Sequence, residues 1–323
     1  MKVLITPRSF GKNSDEAFRR LEEGGFEIIR KADGSIYTEE EMKAAVEDAD
    51  AVIVGVDPMN ADVLSCAKKL KMISKYGVGT DNIDLDYCKE HGITVEITRG
   101  ANSAAVADFA FALMLGLARR MVEIDKGCRV GDWSKKESLD VYGKKLGVLG
   151  LGAIGKGVVR RARGFDMEIY GYDVFRDEAF LKENHVKFTD VEEIFRECDF
   201  ISVHLPLLKE TEHLIDKKLL STAKKNLILI NTARGGIIDE KDLYEALKEG
   251  RIYGAGIDAF ECEPASESPL LELDNVILGS HCAASTRGAV DKMTRWRRPM
   301  CWNILAERKA ENERFCKAID GNL

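Results

Sequence analysis

The chain has 323 residues, of which 32% are charged and 45% are hydrophobic, and its formal net charge is −7. This length is sufficient for two domains of ordinary size. The acidic balance disfavours a nucleic-acid or membrane-surface partner, and no stretch approaches the ~20 apolar residues that a membrane span needs. The apolar run at the N-terminus is too short for a signal peptide, so we expect a cytoplasmic protein. The eight cysteines are scattered without a CxxC pair, which argues against a zinc site and against a disulfide framework.

The first block of the chain alternates short apolar strands with helical patterns, which is typical of a parallel sheet with helices on both faces. Its predicted strands are residues 3–5, 27–29, 51–54, 72–74 and 94–97. Helical patterns lie between them, for example at residues 15–23 and 39–47. The block therefore predicts one doubly wound domain.

A long apolar helix is predicted next, over residues 103–120. Its apolar residues, including Val106, Phe109 and Leu113, lie almost all round the helix, and a helix without a polar face is buried. Two locations satisfy this requirement. The helix either packs between domains or subunits, or it lies in the core of one domain.

The second block repeats the alternation of strands and helices. Its strands are predicted from about residue 146 and at residues 168–172, 186–188, 200–203, 227–230, 253–257 and 276–278. We therefore predict an α/β fold of two doubly wound, Rossmann- or flavodoxin-like parallel-sheet domains, with the active-site cleft between them.

The most specific motif is Gly150-Leu-Gly152-Ala-Ile-Gly155, between a predicted strand and a predicted helix. Its first glycine permits a tight turn, the second lets backbone approach a pyrophosphate, and the third lets helix and strand pack closely. The pyrophosphate then lies at a helix N-terminus, where free N–H groups favour an anion. Asp173 ends the next strand, eighteen residues after the last glycine, where its carboxylate would bind ribose hydroxyls and repel a 2′-phosphate. The motif predicts NAD as cofactor; a glycine-rich turn without a ligand is the alternative.

Candidate reactive side chains follow the carboxyl ends of the predicted strands, the edge at which open parallel sheets bind ligands. Arg234 can hold a substrate carboxylate through two parallel hydrogen bonds. His204 or His281 can carry the hydroxyl proton, since histidine titrates near neutrality. Glu263 or Asp258 can orient that histidine and favour its charged form. This combination predicts hydride transfer at a 2-hydroxy or 2-oxo acid.

Each of these residues also has an ordinary structural explanation, such as a helix cap, a loop acid or a buried loop histidine. Their convergence on one edge of the sheet favours the catalytic interpretation. The remaining histidines, His91, His185 and His213, lie near predicted turns or helices away from that edge, so we expect them to be structural.

The motifs together resemble the D-isomer-specific 2-hydroxyacid dehydrogenase family, and the likeness covers nearly the whole chain. Besides the glycine motif, the similar segments are residues 76–84, 201–211, 231–239, 258–264 and 280–286. The resemblance implies that His281 is the catalytic histidine, that Glu263 is its partner, and that Arg234 is the catalytic arginine.

The resemblance also assigns the binding residues. The backbone amides of Gly77, Val78 and Gly79 are expected to hold the substrate carboxylate, and Asp258 is expected to contact the nicotinamide amide. The expected NAD contacts are Gly150, Gly152, Ala153, Ile154, Gly155, Asp173, His204, Pro206, Thr211, Thr232, Ala233, Asp258 and Ala284.

Within the family, residues 5–15 and 100–103 look most like phosphoglycerate dehydrogenases that lack a C-terminal regulatory domain. The expected substrates are then D-3-phosphoglycerate and 3-phosphohydroxypyruvate, with Arg8 and Lys75 as cations for the phosphate; ordinary surface charge is the alternative for both. The alternative enzymes are a glyoxylate or hydroxypyruvate reductase and a D-lactate dehydrogenase. An NAD-sensing, corepressor-like interaction protein is the alternative from another class.

The resemblance further implies a discontinuous substrate-binding domain, residues 1–99 and 288–323, and an NAD-binding Rossmann domain, residues 100–287. A homodimer is expected, with Trp133 where some relatives pass a tryptophan into the partner subunit's site. The departures from the family pattern are Arg99, Asp108, Cys282 and the segment 296–302, in which Pro299 would interrupt a helix.

Overall fold

Two parallel sheets carry the described part of the chain, and each belongs to its own structural unit. The structure is a computed structural model that describes residues 1–31 and 33–295. The first unit comprises Met1–Asn102 and the chain from Thr286, and the second comprises Ser103–Ser285. The expectations for residues 296–302, including Pro299, lie outside the described residues. The predicted α/β architecture with two doubly wound parallel sheets is confirmed.

The first unit has a five-stranded sheet in the order β2-β1-β3-β4-β5, which is a flavodoxin-like order. Its elements are β1 (Lys2–Ile5), α1 (Glu16–Glu23), β2 (Glu27–Ile29), α2 (Glu39–Val46), β3 (Ala51–Val54), α3 (Ala61–Ser65), β4 (Met72–Lys75), α4 (Leu85–Glu90) and β5 (Thr94–Ile97). In β1, Val3 and Ile5 pack into one apolar cluster and Leu4 into another. Both faces of this sheet are therefore covered, as the apolar strands predicted.

The second unit has a seven-stranded sheet in the order β12-β11-β10-β9-β6-β7-β8, which contains the Rossmann order with one strand added at an edge. Its elements are α5 (Ser103–Ala118), α6 (Met121–Arg129), β6 (Lys145–Leu149), α7 (Ala153–Ala162), β7 (Glu168–Tyr172), α8 (Glu178–Glu183), β8 (Lys187–Phe188), α9 (Val191–Glu197), β9 (Phe200–Val203), α10 (Lys217–Ser221), β10 (Ile228–Asn231), α11 (Glu240–Lys248), β11 (Gly254–Ile257) and β12 (Val276–Leu278). The chain then enters α12 (Arg287–Arg295), which belongs to the first unit.

The apolar helix α5 packs in the core of the second unit, against α7 and the strands β10 and β11. Of the two predicted locations, the structure therefore has the one inside a single domain. Gly256 permits the close approach to the sheet, since a Cβ built there would lie 2.9 Å from Leu113 Cβ. The helix ends two residues earlier than predicted because Arg120 adopts a left-handed backbone (φ 51°) between α5 and α6.

Side-chain caps start several of the helices. At α2, the Thr38 hydroxyl accepts from the Glu41 N–H while the Glu41 carboxylate accepts from the Thr38 N–H, which confirms the predicted start of this helix. At α11, the Asp239 carboxylate accepts from the Asp242 N–H (2.9 Å). Caps of this kind each stabilise a helix by about 1 kcal/mol.

The strand β10 differs from the prediction in a way that matters for the site. It begins one residue later and continues through Asn231, because Asn231 pairs with both Val203 and Ile257. Thr232 is therefore the first residue beyond the sheet. Across residues 1–31 and 33–295, none of the helices combines the length and the apolar content of a membrane span.

Candidate active site

Parallel pairing places the ends of five strands of the second unit side by side. The paired row across β6, β9, β10, β11 and β12 is Leu149, Val203, Asn231, Ile257 and Leu278. The residues that follow the row are Gly150, His204, Thr232, Asp258 and Gly279. The strand order reverses between β6 and β9, and open α/β sheets bind ligands beyond their carboxyl ends at such a switch point.

The three glycines after β6 differ in what surrounds them. Gly150 has a φ of 96°, and a Cβ there would lie 2.6 Å from His204 O, so this turn requires glycine. A Cβ at Gly155 would lie 1.9 Å from Gly150 O, so helix α7 packs on the turn only with glycine here. A Cβ at Gly152 would meet no atom within 4 Å. The backbone at Gly152 and the start of α7 therefore border open space, which fits a pyrophosphate at the helix N-terminus.

Asp173 is held rigidly at the end of β7. Its Oδ2 accepts from the Leu151 N–H (2.6 Å) and its Oδ1 from the Phe175 N–H (3.0 Å). Arg176, three residues further along the chain, pairs with Glu178 (2.6 Å) and lies over the Phe188 ring, so its guanidinium is engaged away from a 2′-phosphate. A fixed carboxylate with its neighbouring cation engaged elsewhere favours NAD over NADP.

Two buried polar atoms at this edge lack a hydrogen-bond partner within the described residues, namely His204 Nδ1 and Thr232 Oγ1. The other ring nitrogen of His204 lies 2.8 Å from the Ser202 hydroxyl. Burial lowers the pKa of His204 to about 3, so its imidazole stays neutral. Unsatisfied buried polar atoms are rare and point to a missing polar partner. A dinucleotide, with its hydroxyls and phosphates, fits these atoms and the open backbone at Gly152.

The two later glycines allow a matched test of the cofactor site. We expect Gly155→Ala to lower the melting temperature, since the added methyl overpacks backbone at a cost of about 1–3 kcal/mol. We expect Gly152→Ala to leave the melting temperature unchanged and to raise the Kd of NADH at least ~10-fold, about 1.4 kcal/mol. Differential scanning fluorimetry and NADH fluorescence titration measure the two effects. Wild-type NADH affinity in Gly152→Ala would contradict the assignment.

The predicted catalytic histidine and glutamate are in contact. His281 Nδ1 lies 3.0 and 2.9 Å from the two carboxylate oxygens of Glu263. Burial by itself would raise the pKa of Glu263, but the hydrogen bond and charge of His281, the Phe260 N–H and the charge of Arg234 together lower the pKa below its ordinary value. Glu263 is therefore a carboxylate at neutral pH, oriented towards the imidazole. Nε2 of His281 has no hydrogen-bond partner among the described residues.

Asp258 fixes the loop that carries His281. Its side chain is buried, its Oδ1 accepts from the Cys282 N–H (2.9 Å) and its Oδ2 from the Ala283 N–H (2.9 Å). Its backbone carbonyl accepts from the His281 N–H (2.9 Å). Both carboxylate oxygens thus bind this loop, so the structure gives Asp258 a structural task that the sequence analysis, which assigned it to the nicotinamide amide, did not predict. Cys282 Sγ also contacts Asp258 Oδ1 (3.6 Å).

Arg234 follows β10 in a loop that Asn231 closes. The Asn231 Nδ2 donates to Arg234 O (2.8 Å) and its Oδ1 accepts from the Ala233 N–H (3.0 Å). The Arg234 Nη1 donates to Ala233 O (2.7 Å). Arg234 lies close enough to Glu263 for its charge to act on that carboxyl. The structure therefore brings together all three predicted catalytic residues, Arg234, Glu263 and His281, at one end of the second unit.

The remaining predicted NAD contacts lie in the same loops. The loop after β9 is closed by Thr211, whose hydroxyl donates to Pro206 O (2.6 Å) and accepts from the Leu208 N–H (2.8 Å). Ala153 and Ile154 form the first turn of α7. Ala284 follows the two residues that Asp258 holds.

The predicted carboxylate-binding loop lies in the first unit, after β4. The Gly77 N–H donates to Thr98 Oγ1 (2.8 Å), which engages an amide that was expected to bind substrate. The Gly77 amide is thus engaged within the first unit, unlike the amides of Val78 and Gly79. Neither of these two amides has a hydrogen-bond partner within the described residues.

The two predicted phosphate cations differ from each other. Lys75 is buried, and its Nζ donates to Gly55 O (2.5 Å) and Asn82 Oδ1 (2.7 Å). Its ammonium therefore joins neighbouring loops of the first unit and is not presented to solvent. Arg8 is exposed after β1, and its side chain has no hydrogen bond or ion pair with the described residues.

Comparison with known proteins bears on this site. Residues 111–283 match the family profile described as D-isomer specific 2-hydroxyacid dehydrogenase, NAD binding domain. The chain is 42% identical to a glyoxylate reductase of Korarchaeum cryptofilum, over 82% of each chain. It is 42% identical to a D-3-phosphoglycerate dehydrogenase of Methanocaldococcus jannaschii over 90% of its own length, but spans only 54% of that relative. The solved D-lactate dehydrogenase of Aquifex aeolicus, complexed with NAD and lactic acid, matches with a TM-score of 0.81 and 28% identity, covering 99% of this chain and 98% of that one.

The chain belongs to the D-isomer specific 2-hydroxyacid dehydrogenases. It is an NAD-dependent oxidoreductase that acts on a small 2-hydroxy or 2-oxo acid, so the predicted family and cofactor are confirmed. The matched residues of this dehydrogenase lie within its second unit, which is the NAD-binding domain.

Three features of the dehydrogenase site escaped the sequence analysis: the Asp258 anchor, the loop closure by Asn231, and the engagement of the Gly77 amide by Thr98. The loop closure by Asn231 could have been predicted, because an asparagine side chain at a strand end commonly hydrogen-bonds the backbone two residues further on. The other two could not, since Asp258 and Ala283 are 25 residues apart and Gly77 and Thr98 are 21 apart.

Proposed function

We propose that the enzyme interconverts D-3-phosphoglycerate and 3-phosphohydroxypyruvate, which would place it in serine biosynthesis. The contact between His281 and Glu263 beside Arg234 supports the oxidoreductase chemistry. Arg8, which is exposed and has no side-chain partner among the described residues, supports a phosphorylated substrate, because a guanidinium binds phosphate oxygens in a fixed fork geometry. NAD supplies the hydride acceptor when bound.

In the oxidation direction, we assign proton transfer to His281. Its Nε2 accepts the hydroxyl proton, since Nδ1 faces Glu263. The Glu263 carboxylate then stabilises the imidazolium, and the Asp258 anchor holds the ring in place. Arg234 binds the substrate carboxylate and restrains C2, which lowers the barrier by positioning. Val78 and Gly79 are proposed as further carboxylate ligands.

A second candidate is the reduction of small unphosphorylated acids such as glyoxylate and hydroxypyruvate. The buried Lys75 favours it, because one of the two cations expected for a phosphate is engaged by Gly55 and Asn82. Relatives named glyoxylate reductase and hydroxypyruvate reductase are 42% and 40% identical to the chain.

Replacement of the catalytic histidine is expected to abolish most turnover. His281 has a left-handed backbone (φ 53°), which asparagine tolerates, so His281→Asn removes the proton carrier with little strain. We expect kcat to fall by ~10²–10⁴-fold, the usual contribution of a general acid–base, with unchanged NADH affinity. His185→Asn is the matched control, since His185 is exposed and has the same backbone conformation (φ 52°). If His281→Asn retained more than roughly a tenth of wild-type turnover, His281 would not be the proton carrier.

The substrate is decided by a panel of 2-oxo acids. NADH oxidation is followed with 3-phosphohydroxypyruvate, hydroxypyruvate, glyoxylate and pyruvate, each repeated with NADPH. If Arg8 binds the phosphate, Arg8→Gln raises KM for the phosphorylated acid at least ~10-fold, the loss of a charged hydrogen bond, and leaves hydroxypyruvate unaffected. Arg19→Gln, an exposed arginine on α1, is the control.

Preference for an unphosphorylated acid in this panel would select the second candidate. No turnover with any acid, with NADH still bound, would instead favour an NAD-sensing interaction protein.

We further propose that the enzyme is a homodimer formed through α6 and the chain after it. Helix α6 buries no residue within its own unit. Four large apolar side chains here are exposed: Met121, Val122, Val130 and Trp133. Exposed apolar residues in such a cluster are typical of an interface.

The proposed dimer is tested by multi-angle light scattering. We expect about twice the 36.0 kDa chain mass for the wild type and a shift towards 36.0 kDa for Val130→Asp combined with Trp133→Ser. Val174→Asp, at another exposed valine, is the control. A monomeric wild type at micromolar concentration would refute the proposal.

A further inference from the structure

Two loops of the second unit carry the proposed catalytic residues Arg234 and Glu263. Contacts of neighbouring residues join these two loops to each other. The Arg234 loop, residues 232–239, follows β10, and the Glu263 loop, residues 258–264, follows β11. Gly235 lies directly against the Glu263 loop, since a Cβ built on it would be 1.9 Å from Phe260 O and 2.4 Å from Glu261 N. The backbones therefore touch, and a small change in either loop is transmitted to the other.

A reciprocal pair of hydrogen bonds joins the Glu263 loop to Glu240, which directly follows the Arg234 loop. The Glu240 N–H donates to Glu261 Oε1 (3.0 Å), and the Glu261 N–H donates to Glu240 Oε1 (2.6 Å). Glu240 is the first residue of α11, so its N–H is one of those at the helix N-terminus that have no partner inside the helix. The Glu261 carboxylate supplies that partner. The carboxylate of each glutamate thus accepts a hydrogen bond from the backbone N–H of the other.

Neighbouring side chains hold the two carboxylates in this arrangement. The Ser268 hydroxyl donates to Glu240 Oε2 (2.8 Å). His213 Nε2 lies 3.2 Å from Glu261 Oε1, and its Nδ1 lies 3.7 Å from Asp239. The His213 N–H also donates to Gly236 O (2.6 Å) in the Arg234 loop. His213, expected to be merely structural, therefore connects both loops to the loop after β9.

We propose that Glu240 and Glu261 are positioning residues for the reaction: their reciprocal hydrogen bonds set the Arg234 loop relative to the Glu263 loop. Arg234 lies one residue before the contact at Gly235, and Glu263 lies two residues after Glu261. The pair thereby sets where the substrate carboxylate is held relative to the proton carrier that Glu263 orients. A displacement of about 1 Å at such a site can cost ~10²-fold in rate. This inference rests on the proposed roles of Arg234, Glu263 and His281.

The test compares removal of the hydrogen bond with its conservation. Glu261→Ala deletes the acceptor, whereas Glu261→Gln keeps an amide oxygen for the Glu240 N–H. We expect Glu261→Ala to lower kcat at least ~10-fold and to weaken binding of oxamate, a non-reducible 2-oxo acid analogue, to the NADH complex. We expect Glu261→Gln to recover kcat to within about threefold of wild type. Binding of NADH alone stays unchanged in both variants, because neither loses a group at the glycine turn.

Two further variants separate positioning from simple stabilisation. Glu240→Ala with Glu261→Ala is expected to be no slower than Glu261→Ala alone, because residues in one network are not additive. Glu245→Ala is the control on α11, since the Glu245 carboxylate pairs with Lys217 (2.7 Å). A lower melting temperature with wild-type kcat and oxamate affinity in Glu261→Ala would overturn the inference. Equal losses in Glu261→Ala and Glu261→Gln would also overturn it, because charge rather than the hydrogen bond would then matter.

Failure of the proposed function is recognised separately. If His281→Asn retains its turnover, the assigned proton carrier is wrong and this inference, which rests on it, fails as well. If His281→Asn is inactive while Glu261→Ala keeps wild-type kcat and oxamate affinity, only this inference fails. If the wild type neither reduces a 2-oxo acid nor binds oxamate, the proposed function fails and this inference fails with it.

Discussion

The in-register parallel pairing of β6, β9, β10, β11 and β12 is the constraint on which the candidate site depends. Because the ends of these strands form one row, the strand pairing alone brings the turns after them to the same edge of the sheet. A slip of β11 by one residue would draw Asp258 into the sheet and remove its carboxylate from the His281 loop. The register is protected by burial on both faces, since β9, β10 and β11 are buried along their whole length.

The parts of the fold with a strong local signal could be predicted from the sequence. Continuous apolar runs located nearly every strand to within a residue, and the glycine motif followed by Asp173 identified the cofactor. The loops after β10, β11 and β12 were placed at one edge because parallel strands end together. Helix boundaries were less certain: α5 stops at Ala118, because Arg120 adopts a left-handed backbone that no residue pattern announces.

Contacts between side chains and distant backbone could not be predicted. The partners of Asp258, Thr98 and Glu261 lie more than twenty residues away along the chain, and such bonds leave no period in the sequence. Lys75 illustrates the same limit. Its position suggested an available cation, but the direction of its side chain follows from the packing of β3 and β4, which buries the ammonium between Gly55 and Asn82.

The backbone of His281 restricts how this position can change. A φ of 53° suits glycine, asparagine, aspartate and histidine, whereas other residues carry strain of roughly 1–2 kcal/mol. Among the tolerated types, histidine alone has an ordinary pKa near neutrality. Exchange for lysine or tyrosine would strain the loop or release it from Asp258. Evolution or redesign towards a different proton carrier would therefore have to recruit a residue from another loop.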